Sequence, residues 1–351
     1  MSQAGGGGGS GPVPVVLDCD PGHDDAVAIL FAAGCPSVEL LAITTVAGNQ
    51  TLDRTTWNAC VVATVAGIDV PIAAGCDRPL LRELRTAPEI HGESGLDGPR
   101  PVEPTVAPVA GHAVELLVET VMARPGEVTI VAVGPLTNLA LALRLEPRLA
   151  STVARVVLMG GAASTRGNVT PAAEFNIYVD PEAAAIVFGA TWPVTMVGLD
   201  VTHQALCTHE VQQRLEATGG PGRFVGQLME YYRSTNERAQ HWADPPVHDP
   251  VAVAVAVDPS LCETRPARVR VETAGVAAAG MTVVDFRDPG DGGIHHAHQA
   301  SRRDPAAGRL DRAGYPVTDV AVALRVEPFW LLVEDALARL PGSNRLERGW
   351  R

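Results

Sequence analysis

Four aspartates stand within eight residues near the start of the chain, in Asp18-Cys19-Asp20-Pro21-Gly22-His23-Asp24-Asp25. Carboxylates crowded this closely repel one another, and each costs stability unless a cation or a hydrogen-bond donor compensates it. A helix starting after Pro21-Gly22 can use one or two of them as cap and first-turn acids. Four exceed that need, so the cluster reads as a metal site. Ligands that are all oxygen select a hard cation, Ca²⁺, Mg²⁺ or Mn²⁺, over zinc. Asp24 and Asp25 are neighbours, so on a helix they point roughly 100° apart and serve different partners.

Two further segments offer matching chemistry. In Pro246-Val-His-Asp-Pro-Val251, Asp249 before Pro250 suits the N-cap and first turn of a helix and also supplies a distant carboxylate. His248 beside it is a candidate proton donor. The run Gly167–Asn176 combines Asn168, Glu174 and Asn176, a carboxylate and two amides of the kind that grip several sugar hydroxyls.

The elements that must position these residues alternate along the chain. Apolar runs at Val13–Leu17, Val38–Val46, Val70–Ala74, Val128–Val133, Val153–Met159, Val194–Leu199 and Val317–Leu324 predict strands. Ala- and Leu-rich stretches at Asp24–Ala33, Thr51–Ala66, His112–Ala123 and Leu136–Leu145 predict helices. Val251–Val257 alternates Val and Ala like a strand, but its Asp-Pro start favours a helix. The alternation implies an α/β fold, a mostly parallel central sheet in a Rossmann-like three-layer α/β/α arrangement. Ligands of such sheets bind at the carboxyl ends of the strands. The loops there are 18–25, 45–49, 134–138, 160–176 and 199–203, and nearly every unusual polar residue falls in one of them.

With 46% hydrophobic and 19% charged residues, the 351-residue chain can bury a large core, here read as one domain over residues 13–345. Residues 1–12 read as a flexible Gly-rich tail without the features of a secretory signal. Leu80–Pro108 reads as a long surface loop, and Arg287–Pro316 as a flexible insertion whose His295, His296 and His298 belong to a solvated loop. A net charge of −13 argues against nucleic acid as a partner. No apolar run approaches membrane-spanning length. Six cysteines without a C-x-x-C pair read as reduced thiols of a cytoplasmic protein.

Taken together these motifs resemble the inosine-uridine nucleoside hydrolase family. Asp18–Ala26 is similar to its defining motif. Thr44-Thr45-Val-Ala-Gly-Asn49, His91-Gly-Glu-Ser-Gly-Leu-Asp-Gly98, Gly134-Pro-Leu-Thr-Asn138, Gly167–Asn176 and Val247-His-Asp-Pro250 follow in the family's order, from Val13 to about Leu340. The resemblance implies hydrolysis of ribonucleosides to ribose and free base, as in purine or pyrimidine salvage. It implies Ca²⁺ held by Asp20, Asp25, Asp249 and the carbonyl of Val133, with Asp20 the general base for a calcium-bound water. It implies ribose contacts from Asp24, Asn49, Asn168, Glu174 and Asn176, further substrate contacts from Phe175 and His91, and a leaving-group acid in His248. A homodimer or homotetramer is implied as well. Base preference stays open, because Asn236 and Gln240 stand in the expected lid, Tyr231–Trp242, where aromatic or cationic residues are frequent; His241 and Trp242 are possible substitutes.

Two rivals fit less well. Haloacid dehalogenase phosphohydrolases also carry Asp-x-Asp after their first strand, usually with Thr or Val two residues on, where this chain has Gly22; they also leave Asp24-Asp25 without a task. A non-catalytic nucleoside-binding protein needs no complete ligand set, yet Asp20, Asp25 and Asp249 are all present.

Overall fold

The computed structural model describes residues 11–287, 310–311 and 314–341. Its strands are β1 (Val13–Cys19), β2 (Val38–Thr45), β3 (Ile72–Ala74), β4 (Thr129–Ala132), β5 (Arg155–Met159), β6 (Val194–Val197), β7 (Cys262–Val271), β8 (Thr282–Asp285) and β9 (Thr318–Leu324). They form one sheet in the order β3-β2-β1-β4-β5-β6-β9-β7-β8. From β3 across to β9 every neighbouring pair is parallel, whereas β7 is antiparallel to both β9 and β8.

The pleat of β1 explains the layering. Val15, Leu17 and Cys19 join a core with the helices His23–Gly34, Leu52–Ala66, Asp249–Val257 and Val326–Arg339. Val16, one residue out of phase, packs on the other face with Ala113–Ala123, Thr137–Leu145 and Pro181–Phe188. Both faces are therefore covered, and the central strands are apolar throughout, as parallel strands must be. The chain first builds β1, β2 and β3 outward to one side, then returns to place β4 on the other side of β1. That reversal opens the crevice in which such sheets bind ligands.

All seven expected strands form, and Val251–Val257 is helical as chosen, within Asp249–Val257. Several details differ. Asp249 is the first helical residue and not the N-cap; that position falls to His248, which caps nothing. The strand from Val194 stops at Val197, and Leu199–Thr202, expected as loop, is a short helix. Leu80–Pro108 is not wholly a surface loop: Pro88 starts a single turn, Pro88–His91, that Gly92 ends at φ 75°, and the turn buries His91. Strands β7 and β8 lie outside the sequence expectation. The antiparallel β7 carries exposed Glu263 and Arg265 and a Pro at 266, so it lacks the apolar run that marks the parallel strands. Residues 1–10, 342–345 and most of the expected insertion, with its three histidines, lie outside the described residues.

The helix His23–Gly34 carries the two adjacent aspartates, and its far end is set by one close contact. A Cβ at Gly34 would lie 2.1 Å from the carbonyl oxygen of Ala336 in the C-terminal helix. Ala is favoured over Gly in a helix by about 1 kcal/mol, but an atom forced into backbone costs about 1–3 kcal/mol. Gly34→Ala is accordingly expected to lower the urea midpoint; an unchanged or raised midpoint would show that these helices do not meet at Gly34.

Candidate active site

The carboxyl ends of five parallel strands meet around the residues singled out by the sequence. Asp20 follows β1, Asn49 follows β2, Val133 follows β4, Met159 ends β5 and Thr202 follows β6. Asp20 and Val133 thus flank the reversal between β1 and β4. Beneath them, Asp18 accepts from Thr44 Oγ1 at 2.6 Å and from Asn138 Nδ2 at 2.8 Å, and its backbone carbonyl accepts from Val133 N at 2.8 Å. Burial pushes the Asp18 carboxyl up to about 7 against these bonds. It supports the strand ends and does not line the cavity.

Asp25 is held on three sides. It accepts the amides of Asp20 and Gly22 and the Asn49 side-chain amide, each at 3.0 Å. Asp20 Oδ2 accepts the Asn49 backbone amide at 2.7 Å, while its Oδ1 is buried with no hydrogen-bond partner. Backbone closes around this carboxylate: a Cβ at Gly48 would sit 2.1 Å from Oδ2, and one at Gly134 2.6 Å from Oδ1. Asp24, Asp25 and Asp249 are all buried and bring one carboxylate oxygen each to within 4.8 Å of the others. Asp24 therefore belongs to the tightest group, alongside the expected Asp25 and Asp249, and Asp20 joins it through Asp25.

Burial raises the carboxyls of Asp20, Asp24, Asp25 and Asp249 above the usual range, and their mutual repulsion adds to the rise at Asp20, Asp25 and Asp249. Backbone donors offset only part of this. Such a set needs positive charge, and its donor chemistry fits a hard divalent cation. The Val133 carbonyl accepts from Asn176 Nδ2 at 2.8 Å, which leaves its second lone pair for a further ligand.

Above the carboxylates lies a cavity of about 220 Å³ whose walls include Asp24, Asn49, Asn168, Glu174, Phe175, Asn176, His91, Val133, His248 and Asp249. All the expected substrate-side residues thus face one space. Glu174 is fixed at the start of the helix Phe175–Val179 by the amides of Gly161, Asn176 and Ile177 at 2.9–3.1 Å. Burial still lifts its carboxyl to about 7. Asn168 Oδ1 accepts the Phe175 amide at 2.9 Å, which ties the flanking loop to that helix.

The helix Gly220–Gln240 forms a further wall with Tyr232, Asn236, Ala239 and Gln240, beside Arg85, Glu89 and Ile90. His241 ends it in the left-handed region at φ 60° and stays exposed, outside the cavity. Trp242 packs on His203, with ring centroids 5.1 Å apart, and His203 meets His248 edge-on at 5.8 Å. His248 Nδ1 lies 2.8 Å from Thr202 Oγ1, and burial pulls the ring down to about 4, so it is neutral at neutral pH. Tyr232 and Thr202 fall within the expected lid and the 199–203 loop but carry no motif of their own; the structure places Tyr232 on the cavity wall and Thr202 against His248.

Comparison with known proteins gives a consistent picture. Residues 15–330 match the family profile described as inosine-uridine preferring nucleoside hydrolase. The inosine-uridine preferring nucleoside hydrolase of Crithidia fasciculata is 49% identical over 333 residues, 94% of this chain and 98% of the relative. The pyrimidine-specific ribonucleoside hydrolase RihA of Citrobacter koseri is 49% identical over 278 residues, 78% of this chain and 88% of the relative. Among solved structures, a plant nucleoside hydrolase, PpNRh1, superposes with a TM-score of 0.83 at 34% identity, covering 93% of this chain and 99% of that one. The purine-preferring ribonucleoside hydrolase of Gardnerella vaginalis gives 0.81 at 30% identity, covering 93% and 98%.

The raised carboxyls carry a stability prediction. Without cation the folded chain binds more protons than the unfolded one between the unfolded carboxylate range near pH 4 and the raised values. Stability must therefore fall as pH climbs through that window, by about 1.4 kcal/mol per pH unit for each proton held only in the folded state. Chelator-treated protein is expected to melt lower at about pH 8 than at about pH 5, and added Ca²⁺ to raise the midpoint more at the higher pH. Equal responses at both values would rule out the carboxylate cluster as the cation site.

Proposed function

The chain belongs to the inosine-uridine preferring nucleoside hydrolase family, and from that premise we propose that its cavity holds a ribonucleoside above a Ca²⁺ site, with Asp20 as general base. The enzyme hydrolyses N-glycosyl bonds of ribonucleosides to ribose and free base, a reaction of nucleobase salvage. The observation that carries the mechanism is Asp20 itself: buried, closed in by the backbone at Gly48 and Gly134, with Oδ1 unbonded and its backbone amide tied to Asp25 of the Asp24–Asp25–Asp249 carboxylate group. Asp20, Asp25, Asp249 and the Val133 carbonyl are the ligands proposed for the cation. Bound there, it would balance their charge and acidify a water.

Breaking the bond builds positive charge on the ribose ring, as in other glycoside hydrolyses. Asp24, Asn49, Asn168, Glu174 and Asn176 hold the sugar hydroxyls, and the carboxylates among them stabilise the developing cation. Asp20 Oδ1 takes the proton of the water that attacks the anomeric carbon. Phe175 and His91 close the walls around the sugar. His248 receives or supplies a hydrogen bond according to its tautomer. As a neutral ring with Thr202 donating to Nδ1, it offers Nε2–H to the departing base without arriving as imidazolium. The base contacts the helix Gly220–Gln240, where Asn236 and Gln240 present amides to the cavity.

A cytoplasmic setting is supported by the six cysteines, all buried free thiols; no helix among the described residues is long and apolar enough to cross a membrane. The family resemblance extends the proposal to a homodimer or homotetramer, which light scattering reads directly.

Asp20→Asn is expected to lower ribose release by about 10²–10⁴-fold, the usual worth of a general base, while circular dichroism still reports the native fold. Reducing-sugar assays across inosine, adenosine, uridine and cytidine supply both the activity and the base preference. Wild-type turnover in Asp20→Asn would sink the mechanism.

A further inference from the structure

His23 lies outside the cavity wall and outside the carboxylate cluster, yet it is completely buried and makes three polar contacts. Its backbone amide donates to His91 Nδ1 at 3.2 Å, its own Nδ1 also lies 3.2 Å from that atom, and its Nε2 is 2.8 Å from the carbonyl oxygen of Asp97. We infer that His23 is a positioning residue: its amide fixes His91 as the tautomer that turns an Nε2–H donor toward the nucleoside cavity. The inference rests on the nucleoside reading of that cavity and adds the group that sets one of its donors.

The proton count follows from the partners. A carbonyl oxygen only accepts, so the ring proton of His23 sits on Nε2 and its Nδ1 holds a lone pair. At His91 Nδ1, two neighbours then compete. The amide of His23 has a hydrogen in a fixed direction and asks Nδ1 to accept; the lone pair of His23 Nδ1 asks it to donate. The amide prevails, because a buried N–H left without an acceptor costs about 1–3 kcal/mol, whereas an unshared lone pair is the more readily tolerated omission. A neutral imidazole that accepts at Nδ1 carries its proton on Nε2. With Nδ1 turned inward to His23, the opposite ring edge is the one His91 presents to the cavity it lines.

The rings are also held in plane. His23 stacks on His91, Tyr231 and Tyr232 with centroids 5.3–5.4 Å apart, and Tyr232 stacks on His91 at 5.6 Å. The anchor beneath is firm: the Asp97 carboxylate accepts the amides of Glu93 and Ser94 and the Ser94 hydroxyl. Close approach requires the preceding glycine, since a Cβ at Gly22 would lie 2.4 Å from His91 Nδ1. In a cavity whose wall includes the carboxylates of Asp24, Glu89, Glu174 and Asp249, a neutral fixed donor serves a ligand atom with a lone pair, a nucleoside oxygen or ring nitrogen.

His23 is the first residue of its helix, where proline is tolerated, so the amide can be deleted without breaking the helix. His23→Ala keeps the amide and loses the ring; His23→Pro loses both. Histidine-labelled protein is read by proton–nitrogen correlation, with the His91 signals assigned by their loss in His91→Phe. Wild type and His23→Ala should both show the Nε2–H pattern for His91, and His23→Pro should lose it. kcat/KM for the preferred nucleoside should fall about 10–100-fold further in His23→Pro than in His23→Ala, the usual worth of a residue that orients an active group. In a His91→Phe background the two should be equal. An Nδ1–H pattern in wild type, or a Pro-to-Ala difference that survives His91→Phe, would overturn the assignment. If wild type released no ribose from any nucleoside, the nucleoside reading would fall, and the spectra would still decide the tautomer.

Discussion

Burying like charges is the constraint around which this fold is organised. Asp20, Asp24, Asp25 and Asp249 lie together out of water, and hydrogen bonds from amides cannot neutralise four carboxylates. An arrangement that destabilises the chain by itself persists because the surrounding structure over-determines it. Three donors hold Asp25, and the backbone at Gly48 and Gly134 closes on Asp20. The repulsion is then available to be relieved by a cation, which converts a cost in the free chain into affinity.

The scaffold meets this demand by bringing rigid parts to one point. β1 and β4 are parallel neighbours at the reversal in strand order, where the chain adds β2 and β3 on one side and β5 and β6 on the other, so the loops leaving their carboxyl ends part above the sheet. The helix His23–Gly34 brings Asp24 and Asp25 in its first turn, and the helix Asp249–Val257 brings Asp249 as its own first residue. Two helix N-termini therefore point at the carboxylates and contribute their partial positive charge. The small side chains of Val251–Ala256 let the second helix lie fully buried between the first helix and the sheet. A larger residue on that face would push Asp249 away from the cluster.

How much of this was legible in the sequence depends on how far apart the partners lie. Asp20, Asp24 and Asp25 are local, and their crowding alone marked a metal site. Asp249 was visible as a carboxylate whose Asp-Pro context suggested a cap; family resemblance joined it to Asp25, more than two hundred positions away, and the fold brings the two carboxylates together. The parallel strands announced themselves by apolar runs, whereas β7, half wet and studded with charge, did not. His23 and Thr202 have no signature of their own. Their roles come from His91 and His248, 68 and 46 positions distant, and a buried histidine in a motif gives no hint of which ring it touches. The Val133 carbonyl carries no side-chain information at all, so its candidacy came from family resemblance alone.

The two ends of the cavity are built on different principles, and this bears on specificity. The end proposed to hold the ribose is set by strand termini and helix starts, whose hydrogen bonds interlock: Asn49 serves Asp20 through its backbone and Asp25 through its side chain, and Asn176 donates to the carbonyls of Val133, after β4, and Met159, in β5. Changing any one of these disturbs the rest. The end proposed to hold the base is faced by the helix Gly220–Gln240, where the Asn236 side-chain amide donates back to Tyr232 of the same helix and Gln240 is the last helical residue. Substitution there leaves the carboxylate cluster untouched. Relatives named for inosine and uridine, for pyrimidines and for purines resemble this one chain, and on the proposed reading a base preference set on that helix can change while the carboxylate cluster stays as it is.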